Sequence, residues 1–323
     1  MSNRHCPYCH CSTDVIKYGT TCSGKQKYRC KKCGKVWTNK ARKQRLTDKI
    51  WHDFVWNNLP VRELSLKYDK HTNTIRKIIH QYQPTPLDIE SIPETEKSKI
   101  TVIAMDTTYF GRNSGVVVAI NAHNGDLLYF KEIFGSETNE DYELCIETLL
   151  KANIKPKACV IDGRQGVRHI LENHGIVVQL CQFHLKLMVK KYLTNNPVLD
   201  PNKELKLIVD SVCNRHIEMD EQKFLHMIVN WHGRYRFWLN EKTIDPLTGD
   251  REWTHQDTRK AFNAIKNHLD IIYTYEHYPE LNIPNTSNRI EGKFGVAKDK
   301  LRIHHGYTKD LKIKILFSLL SGE

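Results

Sequence analysis

Two aspartates stand directly after short apolar runs. Asp106 follows Ile100-Thr-Val-Ile-Ala-Met105, and Asp162 follows Lys157-Ala-Cys-Val-Ile161 and is itself followed by Gly163. A carboxylate delivered by a buried strand is costly unless a partner or a metal meets it. Two such carboxylates on one sheet can share a hard divalent cation, which takes oxygen ligands and keeps positions open for a phosphate. The plainer alternative is that each Asp caps the turn after its strand. A third acid, Glu291, opens a helical stretch, with Lys298 and Arg302 seven and eleven residues further on and so near the same helix face. Asn288-x-x-Glu291 also has the form of a capping box, and Asp257, Asp270, Glu276 and Glu280 are other acids able to serve as a third ligand.

A second set of residues points to a different metal chemistry. Cys6-x-x-Cys9 and Cys30-x-x-Cys33 are two knuckles separated by 20 residues, a spacing that suits a structural Zn²⁺ held by four thiolates with no open coordination position. Cys11, Cys22, His5 and His10 lie close enough to compete for a place in that set. The intervening Val15–Gly19 and Lys27–Arg29 segments read as short strands, giving a zinc ribbon.

The elements that must position the acids can be read from period and turn chemistry. After the Asp106 strand, 115–120 and 127–134 pair as a hairpin across Asn124-Gly125, a dipeptide that tolerates the positive φ of a tight turn. A helix over 140–152, the Asp162 strand, a short helix over 167–173 and a strand over 176–180 follow. Three antiparallel strands, a helix, a strand, a helix and a strand form the order of a ribonuclease-H-like fold, in which the ends of the first and fourth strands are neighbours. Asp106 and Asp162 are then expected to converge. From His184 to about Glu280 the pattern turns helical and rich in Trp and His, an α-helical insertion. Trp231, Trp238 and Trp253 read as its core, with Trp231–Trp238 alternatively available for stacking on bases.

Charge is distributed unevenly. Residues 1–83 hold 18 Lys+Arg against 5 Asp+Glu, and the remainder 31 against 32, so the net charge of +12 comes from the first quarter. That is the distribution of a nucleic-acid-binding arm on a near-neutral body. After a basic connector at 40–45, helices are expected over 48–57, 60–68 and 72–82. The last two read as a helix-turn-helix that turns His71, Thr72, Asn73 and Arg76 toward a major groove, with Ile75, Ile78 and Ile79 inward. A plain three-helix packing unit is the alternative. A membrane-surface role would want an amphipathic basic helix, whereas this region breaks into Cys, Gly and Lys clusters. With no apolar leader-like run and no stretch near 18 apolar residues, a soluble, intracellular protein with reduced cysteines is expected. The expected organisation is multidomain α/β: zinc ribbon 1–40, helix-turn-helix 41–83, linker 84–97, ribonuclease-H-like core 98–184, helical insertion 185–284, and a returning helical part 285–323 carrying Glu291.

Taken together, Asp162-Gly163 with Gly166, Gln179-x-Cys181-x-x-His184, and Asn285-Thr-Ser-Asn288-x-x-Glu291 resemble the motifs of bacterial Mutator-like insertion-sequence transposases. The 128 residues between Asp162 and Glu291 fit that group's insertion before its final helix, and the resemblance covers roughly residues 95–320. It implies an Asp-Asp-Glu triad of Asp106, Asp162 and Glu291 holding two Mg²⁺ (or Mn²⁺) ions. It also implies phosphodiester hydrolysis at terminal inverted repeats followed by strand transfer into target DNA, a homodimer or larger assembly on DNA, and a cytoplasmic, nucleoid-associated location. Cys181 and His184 match the group's Cys-x-x-His element, for which a structural or DNA-positioning role is expected. A ribonuclease-H-type nuclease that cuts without joining, and a non-catalytic DNA-binding regulator, are the rival functions.

Overall fold

A computed structural model describes residues 6, 14–21, 26–38, 41–111, 113–214, 216–244, 248–303 and 306–322. The chain divides into two compact units, one ending at Pro84 and one spanning Thr85–Gly322.

In the first unit, β1 (Val15–Thr20), β2 (Gln26–Cys30) and β3 (Val36–Thr38) form an antiparallel sheet in that order. Cys30 ends β2, and the chain reverses at once: the Gly34 N–H donates to the Cys30 carbonyl at 2.8 Å, with Gly34 at φ +71, a conformation that glycine adopts without strain. Three helices follow, α1 (Ala41–Val55), α2 (Val61–Tyr68) and α3 (Thr72–Gln81). The first starts well before the expected residue 48 and takes in the basic connector, because Ala-Arg-Lys-Gln-Arg-Leu is a run of strong helix formers although it lacks apolar periodicity. Trp51, Phe54, Leu64, Ile75 and Ile79 are buried between the helices, and Ile78 is half-buried.

Asp53 locks α1 to α2. Its buried carboxylate accepts from Tyr68 Oη at 2.6 Å and Asn57 Nδ2 at 2.7 Å, and pairs with Lys67 Nζ at 2.6 Å. Burial alone would raise its pKa, but the bonds from Lys67, Tyr68 and Asn57 outweigh that and lower it to about 2. A depressed folded-state pKa stabilises the fold above the unfolded value of 3.8, and this contribution fades as pH falls through about 2. Asp53→Asn should therefore weaken hydrogen-exchange protection of α1 and α2 amides by about 1–2 kcal/mol at pH 7. The difference from the parent should shrink as pH falls from 4 toward 2, and an undiminished difference there would overturn the account.

In the second unit the stretch read as a linker lies against the core. Ile89 and Ile100 join the buried cluster, and α4 (Glu94–Lys97) is tied down by Lys97 Nζ, which donates to the Glu90 carbonyl at 3.1 Å and pairs with Glu94 at 3.0 Å. The sheet comprises β4 (Val102–Gly111), β5 (Ser114–Asn121), β6 (Leu127–Phe134), β7 (Ala158–Ile161) and β8 (Val177–Leu180), in the order β6-β5-β4-β7-β8. The first three are antiparallel, whereas β4, β7 and β8 run parallel, which is the strand order and direction expected from the sequence. Helices α5 (Asn139–Lys151) and α6 (Gln165–Asn173) supply the crossovers. Both faces are covered, so the strands are apolar on both sides: Ile103 and Met105 belong to the cluster beneath α5, and Val102 and Ala104 to the opposite cluster.

The insertion contains α7 (Gln182–Leu193), α8 (Asp200–Val212), α9 (Glu221–Leu239), α10 (Gln256–Lys266) and the short α11 (Thr274–His277). It is not wholly helical, since β9 (Lys242–Ile244) and β10 (Arg251–Trp253) form a hairpin before α10. Trp231 is fully buried and its indole donates to the Pro201 carbonyl at 2.9 Å, which removes it from any base-stacking role. Trp253 is exposed, with the Arg259 guanidinium over its ring, instead of lying in the core. The chain ends in α12 (Asn288–Ile303) and α13 (Lys309–Ser321).

Candidate active site

The register of the sheet brings the two aspartates together. Val102 pairs with Ala158 and Ala104 with Val160, so Asp106 and Asp162 each lie two residues beyond the last shared rung and on the face of Val102 and Ala104. Asp106 is not at the end of its own strand, because β4 continues to Gly111. Asp106 still pairs with Val118 of β5, whereas β7, on the other side, stops at Ile161. The parallel pairing of β4 thus ends before Asp106, leaving it without a β7 partner on that side.

Helix α12 brings the third acid to the same face. Ile290 and Phe294 bury against the Val102, Ala104 and Val160 cluster, which fixes the helix and leaves Glu291 beside the sheet edge. The Ser287 carbonyl accepts from the Ile290 and Glu291 N–H groups at 3.0 and 3.1 Å, so Ser287 holds the capping position and Asn288 is already the first residue of the helix. The Asn288-x-x-Glu291 capping box is therefore not formed. Glu291 points instead to His184, its Oε1 lying 3.2 Å from Nε2.

One ligand atom each from Asp106, His184 and Glu291 lie within 4.8 Å of one another. Asp162 is outside this group, and its Oδ1 accepts from the Arg164 N–H at 3.1 Å in the turn after β7, but its charge bears on Asp106. Burial, with Glu291 and Asp162 alongside, pushes the Asp106 carboxyl up to about 7, against the opposing pull of His184 and the Thr107 N–H. His184 is raised as well. Burial depresses it, but Cys181, Asp106 and Glu291 together raise it to about 9. Its buried Nδ1 has no partner at hydrogen-bonding geometry among the described residues. Crowded acids of this kind fit an oxygen-ligated divalent cation such as Mg²⁺ or Mn²⁺, whose charge would relieve their repulsion.

Gly163, together with residues that carried no signal in the sequence, holds these groups in place. Gly163 has φ +98, and a Cβ there would come 2.7 Å from Leu180 Cδ1. The Gly163 carbonyl lies 2.9 Å from Nε2 of His268, a buried insertion residue whose Nδ1 is 2.7 Å from the Ala264 carbonyl. Glu137 pairs with Arg164 at 2.8 Å and accepts from Tyr142 Oη at 2.8 Å, and Tyr142 in turn meets Thr107 Oγ1 at 2.9 Å. The segments after both aspartates are thus braced by a single carboxylate. A signal for Glu137 or His268 was absent because each acts on residues far away in the chain.

Lys298 and Arg302 are exposed on α12, with Arg302 3.3 Å from Asp299. In the first unit His71 and Asn73 are exposed at the start of α3, where the His71 Nδ1 accepts the Asn73 N–H at 3.2 Å and the Asn73 Oδ1 accepts from Arg76 at 3.1 Å; Thr72 is half-buried. The Cys6, Cys30 and Cys33 sulfurs lie within 4.8 Å of one another, with Cys6 and Cys33 3.6 Å apart, while Cys9, Cys11 and Cys22 fall outside the described residues. No helix among the described residues is long and apolar enough to cross a membrane.

No protein-family model matches the sequence, and no curated protein matches it either. Solved structures resemble it distantly. A chain of the Drosophila P element transposase strand transfer complex has a TM-score of 0.32 at 13% identity, over 85% of this chain and 78% of that one. A pre-cleavage Mos1 transpososome gives 0.19 at 9% identity, over 72% and 78%. A simian T-cell lymphotropic virus intasome in complex with the PP2A regulatory subunit B56 gamma gives 0.23 at 12% identity, over 68% of this chain and 65%, under two thirds, of that one. At TM-scores this low none of these likenesses carries weight for function.

Proposed function

We propose that the chain is a DNA transposase of the Mutator-like insertion-sequence type, which cleaves at terminal inverted repeats and joins the freed ends to target DNA. The observation that carries this reading is the convergence of acids: Asp106 and Asp162 each two residues beyond the last β4–β7 rung and on one face of a β6-β5-β4-β7-β8 sheet, with Glu291 brought to Asp106 by a helix packed on that face. Asp106, Asp162 and Glu291 would hold two Mg²⁺ or Mn²⁺ ions. Bound there, such cations polarise the scissile phosphate and lower the pKa of an attacking water or 3′-hydroxyl. His184 steadies Glu291 by donating from Nε2. Lys298 and Arg302, exposed on the helix that carries Glu291, would meet phosphates alongside the site.

In the first unit, the sulfurs of Cys6, Cys30 and Cys33, with Cys9 as the fourth ligand, support a structural Zn²⁺ in a ribbon. The α2–α3 pair supports a helix-turn-helix with His71, Thr72, Asn73 and Arg76 at the groove. Transposition needs two ends held together, so a homodimer or larger assembly on DNA is part of the proposal.

The test is incubation of the full chain with the element's own DNA ends and Mg²⁺, scoring cleavage and joining separately. Cleavage with joining is expected. Cleavage alone would make the protein a nuclease, and binding alone a regulator. In the same assay end binding should fall steeply with salt, since Lys and Arg release phosphate counterions, and should be lost from an 84–323 fragment. A fragment that bound ends as tightly as the full chain would move recognition out of residues 1–83.

A further inference from the structure

Glu291 follows a long insertion, yet its carboxylate comes within hydrogen-bonding distance of His184 and into the Asp106 group. Helix packing brings α12 to the sheet, but something must fix where the helix begins. The seam between β8 and the returning chain provides this through buried polar side chains that the hydrolytic chemistry does not use.

Gln179 and Cys181 are fully buried and Gln182 is 1% exposed. Buried amides and thiols are costly unless matched, and these are matched almost wholly to residues 272–287. Gln179 donates from Nε2 to the Ile272 carbonyl at 2.8 Å and accepts the Tyr275 N–H at 2.9 Å. Gln182 makes a two-way pair with Asn285: its N–H donates to the Asn285 carbonyl at 2.9 Å, and its Oε1 accepts from Asn285 Nδ2 at 3.0 Å. Cys181 accepts both the N–H and the hydroxyl of Ser287, at 3.3 and 3.1 Å.

These contacts form a closed circuit. Cys181 fixes Ser287, whose carbonyl starts α12, Glu291 lies on that first turn, and its carboxylate returns to His184, three residues after Cys181. We propose that Gln179, Cys181 and Gln182 form a latch whose function is to position Glu291 against Asp106, with His184 as the contact that sets the carboxylate's orientation. They are positioning residues: none of the three is within the group of ligand atoms. The proposal rests on the reading of Asp106, Asp162 and Glu291 as cation-holding acids.

The test uses the full chain with two readouts, Mn²⁺ binding by electron paramagnetic resonance and hydrogen exchange of the amides at 287–291. Cys181→Ala should weaken Mn²⁺ binding roughly tenfold, the scale for losing a residue that orients a ligand. It should also speed exchange at 287–291 while β4 and β7 amides remain protected. Cys181→Ser, whose oxygen can still accept from Ser287, should recover most of both losses. Asn285→Ala changes an exposed residue, avoids a buried truncation, and should shift both readouts in the same direction by less. Unchanged exchange at 287–291 in Cys181→Ala and Asn285→Ala would overturn the latch. A parent protein whose Mn²⁺ binding matched that of Glu291→Gln would instead sink the cation reading, leaving exchange to judge the latch alone.

Discussion

Glu291→Gln is expected to give a folded protein that binds its DNA ends normally and has lost Mg²⁺-dependent cleavage by about a thousandfold or more. Glutamine has nearly the size and hydrogen-bonding reach of glutamate, so Ile290 and Phe294 still pack and the helix is still capped at Ser287. What is lost is one negative charge on a cation. If that charge accounts for about 4 kcal/mol of transition-state stabilisation, the rate falls by roughly three powers of ten. A purely structural Glu291 predicts near-normal cleavage from the same variant. Retained cleavage in Glu291→Gln, with Asp106→Asn and Asp162→Asn both inactive, would move the third carboxylate elsewhere. Asp270 is a poor substitute, because both of its oxygens are taken by the Arg168 guanidinium.

The second large effect is expected in the amino-terminal sheet. Among its described residues only Cys6, Tyr28 and Cys30 are buried, too small a core to hold three short strands together. A four-thiolate zinc can supply on the order of 10 kcal/mol of folding free energy, far more than one tyrosine contributes. Cys33→Ser should therefore remove the single bound zinc, unfold the sheet and reduce end binding sharply, while the second unit keeps its thermal transition. Metal analysis and binding on the same preparation decide it, and undiminished zinc would remove Cys33 from the site.

The parts of the fold legible in the sequence are those set by local signals. Asn124-Gly125 marks a turn whose Gly125 has φ +84, and the apolar runs at 102–105 and 158–161 are strands because both of their faces are covered. Asp106, Asp162 and Glu291 stood out for the same reason, each an acid at the edge of an apolar or helical run. What was not legible depends on partners distant in sequence. That β4 extends past Asp106 is decided by pairing with β5, and that His184 lies beside Glu291 is decided by a seam joining segments about a hundred residues apart. The early start of α1 was hidden for another reason, since a basic run of helix formers has no apolar rhythm to read.

The constant offset of 56 residues along the β4–β7 ladder, from Val102↔Ala158 to Ala104↔Val160, separates two kinds of tolerance to insertion and deletion. Length between the two aspartates is free wherever it is absorbed by the Asn124-Gly125 turn or by the loops flanking α5, because those changes leave the rungs alone. Within either strand it is not free. A single residue gained or lost between Val102 and Asp106, or between Ala158 and Asp162, turns one carboxylate to the opposite face of the sheet, away from α12. Divergence in this chain is thus channelled: its loops can lengthen and shorten while two short strands keep count.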